Sequence, residues 1–255
     1  LDQVADALIG AGYGAAGERC MAISVAVPVG PDTADALVAK LQERIGALKV
    51  GHSLDQTSDY GPLVNGPALE RVEEYVRIGV EEGAELLVDG RGFRPDDYPN
   101  GFFMGPTLFD RVTPAMRIYQ EEIFGPVLIV TRADTYEEAL RLPSEHEYGN
   151  GVSIYTADGD VARDFTTRVD TGMVGVNVPI PVPIAYHTFG GWKKSVFGDL
   201  NQHGPDSFRF YTKTKTVTSR WPAGPLRTGA VGTGAGGGRD AETGAGASFV
   251  IPTLG

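Results

Sequence analysis

Gly14-Ala-Ala-Gly-Glu-Arg-Cys20-Met21, running on through Ala22-Ile-Ser-Val-Ala-Val-Pro-Val29 into Gly30-Pro31-Asp32-Thr33, reads as a turn, a strand and a helix start in succession. Gly12, Gly14 and Gly17, with Ala15 and Ala16 between them, permit close backbone approach and unusual dihedrals. Ala22 to Val29 is apolar enough for a buried strand. Pro31-Asp32-Thr33 then opens a helix in which Ala34, Leu37, Val38, Leu41, Ile45 and Leu48 keep three-and-four spacing.

The same alternation continues outward. A second helix is predicted from about Pro67, with Leu69, Val72, Tyr75, Val76 and Val80 on one face and a stop at Gly83. Strands are expected at Ala84–Val88, Pro106–Val112, Pro126–Thr131, Gly151–Tyr155 and Gly172–Val178, with helices at Tyr136–Leu142 and Asp160–Val169. Strands alternating with helices define an α/β layer structure with a largely parallel sheet. Leu1–Ile9 reads as the end of a helix that leads into the glycine-rich turn.

The turn carries Cys20, the sole cysteine of the 255 residues. Only the thiolate is a nucleophile, and an ordinary thiol is a few per cent ionised at neutral pH. Arg19 supplies a neighbouring positive charge, and backbone N–H groups of a glycine-rich turn suit a developing oxyanion. The alternative is a small buried hydrophobe, since free cysteines are among the most buried residues.

Three segments carry a resemblance. Gly14-Ala-Ala-Gly-Glu-Arg-Cys20 is similar to the nucleophile segment of the aldehyde dehydrogenase superfamily, Glu121-Glu-Ile-Phe-Gly-Pro126 to a second hallmark about a hundred residues later, and Phe189-Gly-Gly-Trp-Lys-Lys-Ser195 to its Phe-Gly-Gly-X-Lys-X-Ser motif. Arg19-Cys20-Met21, Gly175-Val-Asn-Val-Pro-Ile-Pro-Val-Pro183, Phe210–Ser219 and the terminal Pro252-Thr-Leu-Gly255 resemble the CoA-acylating branch, the methylmalonate-semialdehyde dehydrogenases.

The resemblance implies that Cys20 attacks an aldehyde, that Arg19 binds the substrate carboxylate or else braces the loop, and that Glu122 and Phe124 contact the nicotinamide ribose and ring of NAD. CoA would then take the acyl group from a Cys20 thioester. Methylmalonate semialdehyde would give propionyl-CoA after loss of carbon dioxide. Read without the family, Glu121 and Glu122 form a solvated turn before a core strand.

It also implies a C-terminal half: residues 1–207 as the catalytic domain, 208–221 as an oligomerisation strand, and 222–255 as a flexible glycine-rich tail with an apolar terminus. The N-terminal NAD-binding domain, with an oxyanion-hole asparagine, is expected to be absent. On that reading the chain by itself turns over little semialdehyde. Two alternatives stay open: a non-catalytic fragment serving as an oligomerisation or interaction module, and a cysteine-dependent esterase.

Composition narrows the field. The formal net charge of −11 opposes nucleic-acid binding, which needs a basic surface, and leaves Arg19 as the first candidate for local attraction of an anionic substrate. No apolar run approaches a membrane span, no leader is evident at Leu1, and the expected location is the cytoplasm. One cysteine and four dispersed histidines, His52, His146, His187 and His203, offer no metal-site spacing. Phe208–Trp221 alternates with period two and carries Lys213 and Lys215, as an edge strand does, either within one subunit or in the sheet of a homo-oligomer.

Overall fold

The computed structural model describes residues 1–221. The predicted glycine-rich tail and apolar terminus lie outside the described residues. The chain divides into two units, Leu1–Lys213 and Thr214–Gly255. All regular structure among the described residues belongs to the first.

In chain order the elements are α1 (Asp2–Tyr13), β1 (Val25–Ala26), α2 (Pro31–Ala47), α3 (Gly66–Glu81), β2 (Glu85–Val88), β3 (Thr107–Asp110), α4 (Arg117–Gln120), β4 (Val127–Val130), α5 (Tyr136–Glu145), β5 (Tyr148–Gly149), β6 (Gly151–Ile154), α6 (Gly159–Arg168), β7 (Met173–Val176), β8 (Trp192–Lys193) and α7 (Ser207–Tyr211). The main sheet has the order β1-β4-β3-β2, parallel except for β2 at one edge. β6 pairs with β7 in parallel, and β5 with β8 antiparallel.

The helices form where the apolar period predicts. In α2, Pro31 sits at the first turn, where its missing N–H costs nothing, and Ala34, Leu37, Val38, Leu41 and Ile45 are buried. In α3 the Asn65 side chain caps the N-terminus by accepting the Ala68 N–H at 2.8 Å, and Leu69, Val72 and Val76 face the core. β3 and β4 are buried along their whole length, as expected for strands covered on both faces.

Two predicted strands come out differently. Only Val25–Ala26 of the Ala22–Val29 run is a ladder, although Ser24, Ala26 and Pro28 still accept bonds from Ile129, Thr131 and Ala133. Pro28 has no N–H to donate, so the ladder cannot continue unbroken. At the other end, the predicted strand Phe208–Trp221 starts instead as α7, and residues 212–221 have no ladder partner among the described residues. The Gly204-Pro205-Asp206 turn launches a helix there, and a β-favouring sequence without a neighbouring strand has nothing to pair with.

One ion pair braces the sheet end. Asp110 ends β3 with its side chain 3% exposed, and Arg132 grips it twice, Nη2 to Oδ2 at 2.6 Å and Nε to Oδ1 at 3.0 Å. Arg132→Ala would leave a buried carboxylate held only by the Arg111 N–H at 2.7 Å. Urea unfolding is expected to show a loss of about 3 kcal/mol; a loss below about 1 kcal/mol would mean that water reaches Asp110.

Candidate active site

α1 delivers the chain to the nucleophile turn. Tyr13, fully buried, donates its hydroxyl to the Thr107 carbonyl of β3 at 2.9 Å, and burial pushes its phenol well above the ordinary range. The backbone then turns left-handed through Ala15 (φ 53°), Ala16 (φ 55°) and Gly17 (φ 69°). Two alanines in that region cost about 1–2 kcal/mol each, so the surrounding contacts must enforce the turn.

Those contacts are visible. At Gly17 a Cβ would overlap the Gly125 carbonyl, so the turn lies directly on the Glu121–Pro126 segment. Gly125 in turn lies on Val72 of α3. Glu18 Oε2 accepts the Val64 N–H at 3.0 Å. Its other oxygen, Oε1, is buried without a hydrogen-bond partner, and burial raises the Glu18 carboxyl above its ordinary range, against the opposing effects of the Val64 N–H and Arg71.

Cys20 emerges from this turn exposed to solvent. The alternative of a thiol packed as a buried hydrophobe is therefore excluded. Among the described residues its N–H donates to no protein acceptor, which leaves that donor available to an oxyanion. Arg19, also exposed, lays its guanidinium against Gly14, where a Cβ would come 2.6 Å from Nη2. It makes no ion pair among the described residues, so its donors remain open to a ligand carboxylate.

The second segment is strained as well. Phe124 is half-buried at φ 55°, Glu122 is exposed, and the intervening Ile123 is buried. An exposed carboxylate two residues from a half-buried aromatic ring can accept hydrogen bonds from hydroxyl groups and pack against a flat ring. Glu121 is occupied elsewhere: it accepts from Tyr75 at 2.7 Å and from Arg117 at 2.9 and 3.0 Å. Arg117, then Tyr75, lowers its carboxyl to about 2.

The third segment is a brace. Lys193, again left-handed at φ 55°, donates Nζ to the Pro143 and Ser144 carbonyls at 3.0 Å and so caps the C-terminal end of α5. Ser195 Oγ accepts the Gly149 N–H at 3.0 Å. Gly191 abuts Asn150, with a Cβ there 2.9 Å from the Asn150 Cα, and the Asn150 amide reaches the nucleophile turn. Each of the three segments thus contains a non-glycine residue in the left-handed region; the second lies against the nucleophile turn, and the third reaches it through Asn150.

An exposed thiol on a strained turn, packed against a carboxylate-and-aromatic segment in an α/β frame, is an arrangement suited to covalent thiol chemistry, and the chain belongs to the aldehyde dehydrogenase family, whose profile matches residues 1–217. It is 59% identical over 222 residues to the malonate-semialdehyde dehydrogenase of Pseudomonas aeruginosa, covering 87% of this chain and 45% of that protein. It is 43% identical over 223 residues to the malonate-semialdehyde dehydrogenase of Bacillus subtilis, covering 88% and 45%.

Among solved structures it superposes with the methylmalonate-semialdehyde dehydrogenase of Oceanimonas doudoroffii at a TM-score of 0.82 and 53% identity, covering 88% of this chain and 46% of that one. With an NAD+ complex of a Mycobacterium tuberculosis aldehyde dehydrogenase the TM-score is 0.76 at 33% identity, covering 84% and 43%. The chain spans just under half the length of these relatives.

Sequence reading proposed Cys20, Arg19, Glu122 and Phe124. It passed over Glu18 and Asn150, because a glutamate in a turn and an asparagine between Gly149 and Gly151 carry ordinary loop signals.

Proposed function

We propose that this chain carries the nucleophile of a CoA-acylating dehydrogenase for malonate or methylmalonate semialdehyde. The observation that supports this most is the exposed Cys20 thiol on a left-handed turn seated against the Glu121–Pro126 segment. The Cys20 sulfur attacks the aldehyde carbon, and the new alkoxide of the thiohemiacetal takes a hydrogen bond from the Cys20 N–H. NAD, for which Glu122 and Phe124 are the fitting ribose and nicotinamide contacts, would when bound supply the hydride acceptor that turns the adduct into a thioester. The thiol of CoA then takes the acyl group and Cys20 leaves as thiolate.

Arg19 orients the substrate. Its guanidinium is free of ion pairs among the described residues and lies beside the nucleophile, so it engages the substrate carboxylate through its planar fork. Malonate semialdehyde is expected to protect Cys20 from iodoacetamide at concentrations where uncharged propanal does not. Arg19→Gln is expected to weaken that protection about tenfold, the equivalent of one charge-assisted hydrogen bond. Equal protection by both aldehydes would end the carboxylate reading. NADH formation by this chain alone is expected to be slight, because Glu122 and Phe124 by themselves do not hold a dinucleotide.

A second reading rests on a separate observation. Phe197, Phe208 and Tyr211 are 98, 81 and 71% exposed, and burying such side chains against a partner is favourable. That favours an interaction or oligomerisation module, and residues 212–221, with Lys213 and Lys215, are the segment proposed to pair in a homo-oligomer. No described helix is long and apolar enough to cross a membrane; the cytoplasm is the proposed location.

A further inference from the structure

We propose that Asn150 is a positioning residue for Cys20: its side-chain amide ties the nucleophile turn to the rigid start of β6. This rests on the reading of Cys20 as nucleophile. Asn150 Nδ2 donates to the Cys20 carbonyl at 3.2 Å and to the Met21 sulfur at 3.0 Å, across 130 residues of sequence. Both partners can only accept, so the amide must present its N–H2 end, and both its hydrogens are used.

The two sides of this link differ in rigidity. On the Asn150 side the backbone is held from several directions. Gly149 N–H bonds Ser195 Oγ, Gly172 N–H bonds the Gly149 carbonyl at 2.9 Å, and Met173 N–H bonds the Asn150 carbonyl at 3.2 Å. Gly191 packs against the Asn150 Cα, leaving no room for it to swing aside. On the Cys20 side the chain belongs to no helix or strand. Beyond the turn its bonds are Ala22 N–H to the Arg19 carbonyl and Ile23 N–H to the Ala11 carbonyl, both 3.1 Å.

Among the described residues Asn150 is the sole partner of the Cys20 carbonyl. Fixing that carbonyl fixes the Cys20–Met21 peptide plane and so anchors the Cys20 Cα, from which the Cβ and the preceding N–H project. The Phe189–Ser195 motif acquires a function through this link. It builds the platform from which Asn150 reaches the nucleophile, and the Met21 methyl, 2.7 Å from where a Gly151 Cβ would lie, completes the seat.

The test uses the whole chain, in which intact mass reads Cys20 alone because there is no other cysteine. Two reagents separate orientation from mere access: iodoacetamide alkylates the sulfur with little directional demand, whereas p-nitrophenyl acetate acylates it through a tetrahedral oxyanion, releasing p-nitrophenolate. Asn150→Leu keeps the volume without donors, and Asn150→Asp keeps the shape with acceptors only. Both are expected to lower the acylation-to-alkylation ratio about tenfold and to speed amide exchange at Ala22 and Ile23 by a similar factor. Asn150→Gln, which retains the N–H2, is expected to recover most of the ratio.

Folded Leu and Asp variants with wild-type ratio and exchange would overturn the proposal. Should either fail to fold, Met21→Leu removes only the sulfur acceptor; a rise of about threefold in exchange supports the tether, and none overturns it. A wild-type Cys20 no faster than a peptide thiol toward both reagents, with exchange still rising in the variants, would sink the nucleophile reading and leave the tether standing.

Discussion

Cys20→Ala is expected to abolish acyl transfer by this chain, lowering its rate by about 10⁴ or more, as loss of a covalent nucleophile does elsewhere. The melting temperature should stay within about 1–2 °C of wild type, since the side chain is exposed and fills no core. The pairing of these two results is what carries meaning. A rate within tenfold of wild type would show that acylation occurs at another side chain or in solution, and would remove the basis for a thioester mechanism. A large drop in stability would instead return Cys20 to a structural role.

Gly17→Ala is expected to be strongly damaging for a single-methyl change. Its φ of 69° already disfavours a side chain, and a Cβ would overlap both the carbonyl carbon and oxygen of Gly125, backbone atoms that cannot rotate out of the way. Left-handed strain and overpacking together should cost about 3 kcal/mol, or about 6–12 °C in melting temperature for a domain of this size. Gly83→Ala separates the two causes. Gly83 has φ 92° with nothing within 4 Å, so it should lose only about 1 kcal/mol. Equal losses at the two sites would mean that Gly17 does not press on Gly125, and that the nucleophile turn and the proposed cofactor segment are independent.

The exposed aromatic side chains near the end of the first unit bear on both readings of function. Burying a phenylalanine such as Phe197 is favourable by about 2 kcal/mol, which is the gain that the proposed interaction module would draw on. A catalytic chain and a non-catalytic interaction module both leave these aromatic side chains free to meet a partner. They differ in what Cys20 does, which the alanine variant decides.

Local physics made much of the fold legible. The spacing of Ala34, Leu37, Val38, Leu41 and Ile45 is a property of a contiguous stretch, as is the stop at Gly83, and these placed the start of α2 and the bounds of α3 within a residue or two. Continuous apolar runs predicted strands over β3 and β4, and the structure supplied the order that puts them at the centre of the sheet. Where the outcome depended on a neighbour, residues 208–211 came out differently from the reading. Phe208–Trp221 has the alternation of a strand but no described strand beside it, and it begins as a helix.

What the sequence by itself determined, then, was the α/β class, the lone thiol and three motifs whose likeness points to the aldehyde dehydrogenase family. Only the tertiary structure decided that the thiol is exposed, that Gly17 sits on Gly125, and that Asn150 reaches Cys20 across 130 residues. The physical reason is range. Periodicity and turn chemistry act between residues a few positions apart, whereas the site is assembled by close packing and hydrogen bonds between segments whose proximity exists only once the sheet has formed.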